Sequence, residues 1–282
     1  MDDSTAASPT WRLPPFDPGG AALAPAAVRG TSAGAGRLTG AVWRVGDLAP
    51  GQRARMHALL ARYFANATRA GFERDLAEKE WAILLTDATS GELGGFSTLM
   101  RLRAQVDGKP VVAFFSGDTI VAREYWGEPA LARLWAGHVF ALADGVRRDE
   151  PGAAVYWFLI SSGYKTYRFL PTFFREFYPT HERPTPTGIR RTLDALGELK
   201  FGAAYDPARG VVRLAHATPL RSGVAELEAR HLRDPHVAFF AAANPGHARG
   251  DELACLTEVH PSNLTPAGRR MLEGSPMRGE GG

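Results

Sequence analysis

Between residues 111 and 121 runs a long apolar stretch, and in its middle stand Ser116, Gly117, Asp118 and Thr119. Such a run reads as a buried strand, where polar groups are costly unless they are paired. Strand alternation predicts Ser116 and Asp118 on one face. Gly117 leaves room for the close approach of a ligand or another backbone. The chain therefore carries either polar chemistry in a central strand or a buried structural carboxylate that caps a neighbouring loop. The rest of the sequence can supply the core this strand needs: of 282 residues, 45% are hydrophobic and 22% charged, which excludes collagen, coiled coil and global disorder.

The flanking pattern predicts a mixed α/β (α+β) fold. Met56, Leu59, Leu60, Tyr63 and Phe64 recur at helical spacing, and Phe72 and Leu76 continue in a second short helix. Strands follow at 81–86 and 93–102, and Asp107-Gly108 marks a hairpin into 111–121. A helix opening near Pro129 buries Leu131, Leu134, Trp135, Val139 and Leu142, and a strand at 154–160 follows it. Ser161 or Ser162 is positioned to cap a helix over 164–178, which Pro171 should bend or divide. Beyond it come a helix at 189–199, a hairpin around 205–210, a helix at 223–231 and two closing strands at 237–242 and 252–259.

The expected organisation is a disordered Ala/Gly/Pro-rich leader over 1–38, one domain over 39–267 with an insertion at 179–235, and a disordered tail over 268–282. Asp2, Asp3 and the early prolines argue against a secretory signal, and no apolar run reaches about 18 residues, so a cytoplasmic chain without a membrane span is expected. The single cysteine, Cys255, excludes an intramolecular disulfide framework and a multi-cysteine zinc site. The net charge of +3 rests on basic residues that are almost all arginine, a bacterial-like composition and no nucleic-acid signature. His231 and His236, five apart across Pro235, do not form a helical metal pair, and no metal is expected.

The long strand 111–121, the Trp126-Gly127-Glu128-Pro129-Ala130 loop with its helix, and the strand–helix unit from Tyr156 to Tyr178 together resemble the GNAT superfamily of N-acyltransferases. The likeness covers about residues 50–180 and the closing strands, and it rests on element order. It implies a mixed central sheet whose strands 111–121 and 154–160 splay apart around the pantetheine arm of an acyl donor. It also implies a donor phosphate seated on backbone amides at the next helix start, an arrangement that any helix N-terminus favours for an anion. That turn comprises Val121, Ala122, Arg123, Trp126, Gly127, Glu128, Pro129 and Ala130. It departs from the family's R-x-x-G-x-G or R-x-x-G-x-A spacing: Arg123 precedes Gly127 by four residues, Glu128 adds a negative charge and Pro129 removes a donor. The donor implied is acyl-CoA or an acyl carrier protein, and the acceptor an amine of a small molecule or peptide.

Amide formation from a thioester needs a base, oxyanion donors and an acid for the leaving thiolate. Asp118 is the candidate base with Ser116 beside it, and Glu124 the fallback base or substrate contact. By the resemblance, Tyr164, then Tyr167, would protonate the thiolate; both also read as core aromatics. His247 and Asp251, in the turn before the last strand, are candidate substrate contacts or plain turn formers. The aromatic pairs along the chain would suit a long acyl chain, because each buried methylene contributes about 0.8 kcal/mol. With one cysteine, direct transfer in a ternary complex is expected rather than a cysteine relay. The alternative is a GNAT-like binding module without catalysis, which the altered phosphate turn favours.

Overall fold

The protein is described by a computed structural model over residues 28–30, 36–224 and 226–275. Its strands are β1 (Val28–Gly30), β2 (Leu38–Arg44), β3 (Trp81–Asp87), β4 (Leu93–Val106), β5 (Lys109–Val121), β6 (Ala154–Ser161), β7 (Tyr205–Asp206), β8 (Val211–Val212) and β9 (Glu252–Glu258). The helices are α1 (Pro50–Tyr63), α2 (Arg69–Ala77), α3 (Ala130–Asp149), α4 (Tyr164–Tyr167), α5 (Phe169–Phe173), α6 (Thr187–Phe201), α7 (Pro235–Ala243) and α8 (Pro266–Glu273). Among the described residues the strands form one mixed sheet in the order β1-β2-β3-β4-β5-β6-β9-β8-β7. Every neighbouring pair is antiparallel except β5 and β6, which run parallel.

Helices cover both faces. On one, α3 buries Leu131, Leu134, Trp135, Val139 and Phe140 against Leu99, Val112, Phe114, Val155, Trp157 and Leu159. On the other, α1 and α2 bury Met56, Leu60, Phe72 and Leu76 over β3 to β5, and α6 sets Leu193 and Leu196 over Phe115, Phe158 and Leu256. The Thr68 hydroxyl starts α2 by accepting the Gly71 amide at 3.1 Å.

Two irregularities shape the middle of the sheet. The β5–β6 pairing runs from Val111↔Ala154 to Ser116↔Leu159 and stops there, while β5 continues to Val121. In the β4–β5 ladder, Ser97 faces Thr119 and Leu99 faces Ser116, so Thr98 alone opposes both Gly117 and Asp118. That is a β-bulge, which bends a strand and re-aims its side chains.

Several expectations need correction. The run expected as a strand at 237–242 is helix α7. Pro235 and the Asp234 carboxylate, which accepts the His236 amide at 2.9 Å, start it, and a short run of apolar residues does not distinguish the two structures by periodicity. The closing sheet is instead β9 with the β7–β8 hairpin. No helix forms at 223–231 among its described residues; a single 3-10 turn, His231–Arg233, follows. The segment 164–178 breaks into α4 and α5, then pairs Tyr178 with Leu256, and Gly163 rather than Ser161 or Ser162 precedes it. The expected tail contains most of α8, whose Met271 and Leu272 are buried, and the expected leader contains β1. Residues 1–27, 31–35 and 276–282 of those two segments lie outside the described residues. Among the described residues no helix is long and apolar enough to cross a membrane.

Candidate active site

Where β5 and β6 part lies an open cavity of about 1100 Å³. It shares the walls Phe64, Thr119, Leu131, Ala132, Phe169 and Phe173 with a second cavity of about 680 Å³. The larger cavity reaches both faces of the sheet, because its lining includes Trp135 and Trp157 from the α3 side and Phe72, Asp75 and Phe201 from the α1, α2 and α6 side. A sheet with intact pairing would be closed at this point; the opening follows from the lost β5–β6 ladder.

The α3 side is apolar. Trp135, Trp157, Phe173, Phe174 and Met271 line it, and the Trp135 and Trp157 rings lie 4.3 Å apart. Their indole N–H groups both donate to Ser116 Oγ, at 3.2 and 2.9 Å. Ser116 is thus a buried anchor for two large rings, which satisfies its hydroxyl in an apolar wall.

The opposite side is acidic. Asp118 on β5, Glu252 at the start of β9, and Asp75 on α2 all line the cavity. Desolvation, then the Asp75 charge, pushes Asp118 up to about 7, against the pull of Lys79. Glu252 rises to about 8 through burial, then repulsion from Asp118 and Asp75. Lys79 has a fully buried side chain and donates to the Asp75 carboxylate at 2.6 Å and carbonyl at 3.0 Å. A Cβ on Gly117 would stand 2.6 Å from Lys79 Cε and 2.7 Å from Thr98 Oγ1, so this position needs glycine for the close approach. The expectation that Ser116 and Asp118 share a face is therefore corrected: the bulge separates them, Ser116 towards the tryptophans and Asp118 into the field of Asp75, Lys79 and Glu252.

The second cavity contains the expected anion turn. Val121, Trp126, Gly127, Glu128 and Pro129 line it, whereas Ala122 and Ala130 are buried in the core. Gly127 takes φ +95°, which only glycine adopts without strain. Arg133 is the first α3 residue whose amide finds a backbone acceptor, on Pro129 at 3.0 Å, so the Ala130, Leu131 and Ala132 amides precede the helical ladder. Lys165, Arg133 and Arg270 add positive charge to the lining. Glu128 does not oppose them alone: its carboxylate lies 3.7 Å from Arg37 Nε and accepts the Arg37 amide. The Arg123 amide donates to Tyr63 Oη at 2.7 Å, and its guanidinium to the Gly223 carbonyl at 2.7 Å. Lys165 donates to the Val224 carbonyl at 2.8 Å, 3.6 Å from the centroid of the Trp126 ring.

The remaining candidates lie apart from the opening. Tyr164 is buried and stacks on His231 at 5.1 Å; Tyr167 is fully buried, donates to the Pro179 carbonyl at 2.9 Å, and has its phenol pushed up by desolvation. Neither tyrosine lines either cavity, so the position expected for a thiolate acid is filled by core aromatics. Glu124 is exposed and lines neither cavity. Asp251 pairs with Arg213 at 3.1 Å, and His247 packs on Phe240 with its pKa lowered by burial. The residues missing from the sequence reading are Glu252, Asp75 and Lys79. Each looked like an ordinary charge at an element end, and only tertiary contacts bring them to Asp118.

No family model and no curated protein matches the chain. Among solved structures, a probable N-acyltransferase from Enterococcus faecalis is 16% identical over 49% of this chain, with TM-score 0.35, and the match spans only 33% of that protein. The GNAT family N-acetyltransferase YhbS from Escherichia coli, solved with CoA, is 19% identical over 50% of this chain and 70% of its own, with TM-score 0.35. An aminoglycoside acetyltransferase from an uncultured soil metagenomic sample, solved with sisomicin, is 14% identical over 47% and 83%, with TM-score 0.30. All three likenesses are partial and of low identity.

Proposed function

We propose that this chain is an N-acyltransferase that moves an acyl group from a thioester, acyl-CoA or acyl carrier protein, directly to an amine. The observation that carries this reading is the opening past Ser116 and Leu159, which joins an apolar chamber to an acidic one through the sheet. A thioester and an amine have these opposite requirements, and the opening lets their reacting atoms meet.

The donor's phosphate end suits the α3 amides with Lys165, Arg133 and Arg270. Its acyl chain suits the wall of Trp135, Trp157, Phe173 and Met271, which is larger than an acetyl group needs; a fatty acyl chain uses it fully. The amine enters past Asp75 and Glu252, on the side that the insertion covers with Lys200, Phe201 and Leu214. Asp118 takes the proton as nitrogen attacks the carbonyl carbon; the C–S bond then breaks, and the sulfur recovers a proton from the Asp118–Glu252 pair. A base poised near 7 is matched to neutral pH.

The test is thermal stabilisation by CoA, acyl-CoA of increasing chain length and acyl carrier protein, followed by free-thiol release with an amine panel. Stabilisation that grows with chain length, together with thiol release that depends on amine, supports the reading. No shift with any donor overturns it. The second reading, a binding module without turnover, is favoured by the Gly223 and Val224 carbonyls that already engage Arg123 and Lys165; stabilisation without thiol release would select it.

A further inference from the structure

Outside both cavities, three potential metal ligands meet at the first turn of α7. His181 and Glu182 lie on the connection between α5 and α6, and His236 follows Pro235 in α7. The two imidazole rings stand 4.5 Å apart at 63°, and His236 Nε2 lies 3.8 Å from Glu182 Oε1. One ligand atom from each residue lies within 4.8 Å of the other two. Around tetrahedral zinc, with bonds of about 2.0–2.1 Å, ligand atoms are about 3.3 Å apart. His181 and Glu182 are exposed side chains, and their rotation can close that difference.

The chemistry of the three side chains fits the same ion. Two imidazoles and a carboxylate suit zinc and disfavour magnesium or calcium, which prefer all-oxygen sites. His236 Nδ1 is buried without a hydrogen-bond partner, so the ring's polar bonding runs through Nε2, the atom that faces Glu182. Glu182 has a competing contact with Arg183 at 3.4 Å, an exposed ion pair of little worth.

We propose that His181, Glu182 and His236 bind one zinc-class divalent ion, with water completing the coordination. The ion ties the start of the insertion to α7, whose Phe239 and Phe240 pack on Tyr167 and thereby on the chain that leads into the cavity wall at Phe169 and Phe173. The site stands apart from the acyl-transfer reading, since none of its three residues lines either cavity.

The test is equilibrium dialysis of the metal-free full chain against Zn²⁺ at neutral pH, beside the double variant His181→Ala with Glu182→Gln. Both substitutions are on exposed side chains, so the variant keeps the fold, which its metal-free melting temperature checks. The wild type should take up one zinc at micromolar or lower concentration and melt at higher temperature with it. The variant should bind at least tenfold more weakly and lose the zinc-dependent rise, and Mg²⁺ should produce neither effect. Equal uptake by wild type and variant, or no uptake by either, overturns the proposal.

Discussion

The two sides of the opening solve opposite problems with neighbouring residues. Ser116 faces the apolar chamber, where its hydroxyl accepts two indole N–H groups. Asp118, two residues on, faces the acidic chamber, where burial and like charges hold its proton until about pH 7. A single bulge residue separates a satisfied polar group from a strained one. The difference shows how a strand can be structural on one face and reactive on the other.

The largest expected effect tests the acidic side. Asp118→Asn should lower turnover by about 10²–10⁴-fold, the usual contribution of a general base, with donor affinity unchanged in a calorimetric titration. Turnover within a few-fold of wild type would place the base elsewhere. Next comes the apolar side: Ala132→Trp fills the wall common to both cavities. It should reduce kcat/KM for long acyl donors by more than about tenfold and spare acetyl-CoA, since each lost methylene contact is worth about 0.8 kcal/mol. Equal losses for both donors would show that the chamber does not hold the acyl chain.

The third test separates the two carboxylates. Turnover should rise with pH through about 7 as Asp118 ionises. Asp75→Asn removes the charge that repels the Asp118 carboxylate, so the rise should move to lower pH. An unmoved profile would uncouple the pair. The smallest effect is on stability. The folded-state pKa of Asp118 is raised, so the native protein keeps a proton that the unfolded chain releases above its ordinary pKa. Stability therefore falls as pH rises from about 4 to about 7. Asp118→Asn should stabilise the protein by roughly 1–2 kcal/mol at pH 8 in urea unfolding and change little at pH 4. Gly117→Ala, which drives a methyl towards Lys79 and Thr98, should instead cost about 1–3 kcal/mol at either pH.

Periodicity made much of the frame legible. The strands around 81–121, helix α3, strand β6 and helix α6 follow from apolar spacing and from turn residues such as Asp107-Gly108. Helix α7 was not legible, because Val237, Phe239 and Phe240 satisfy a strand and a buried helix alike, and the deciding contact is the Asp234 cap. The polar interruption at 116–119 was visible, but the bulge that sends Ser116 and Asp118 to different chambers depends on Thr98 of the neighbouring strand. Glu252 and Asp75 are distant from Asp118 in sequence, and no local pattern marks either. The phosphate turn was legible by its glycine and position, whereas the neutralisation of Glu128 by Arg37 required the fold.

The most direct measurement is a crystal structure with dodecyl-CoA bound as a thioether, a donor that cannot transfer its chain. The account predicts the sulfur in the opening beyond Ser116 and Leu159, the alkyl chain against Trp135 and Trp157, and the phosphates at the α3 start. An alkyl chain lying on the Asp75 and Glu252 side, or a donor bound outside the two cavities, would contradict it.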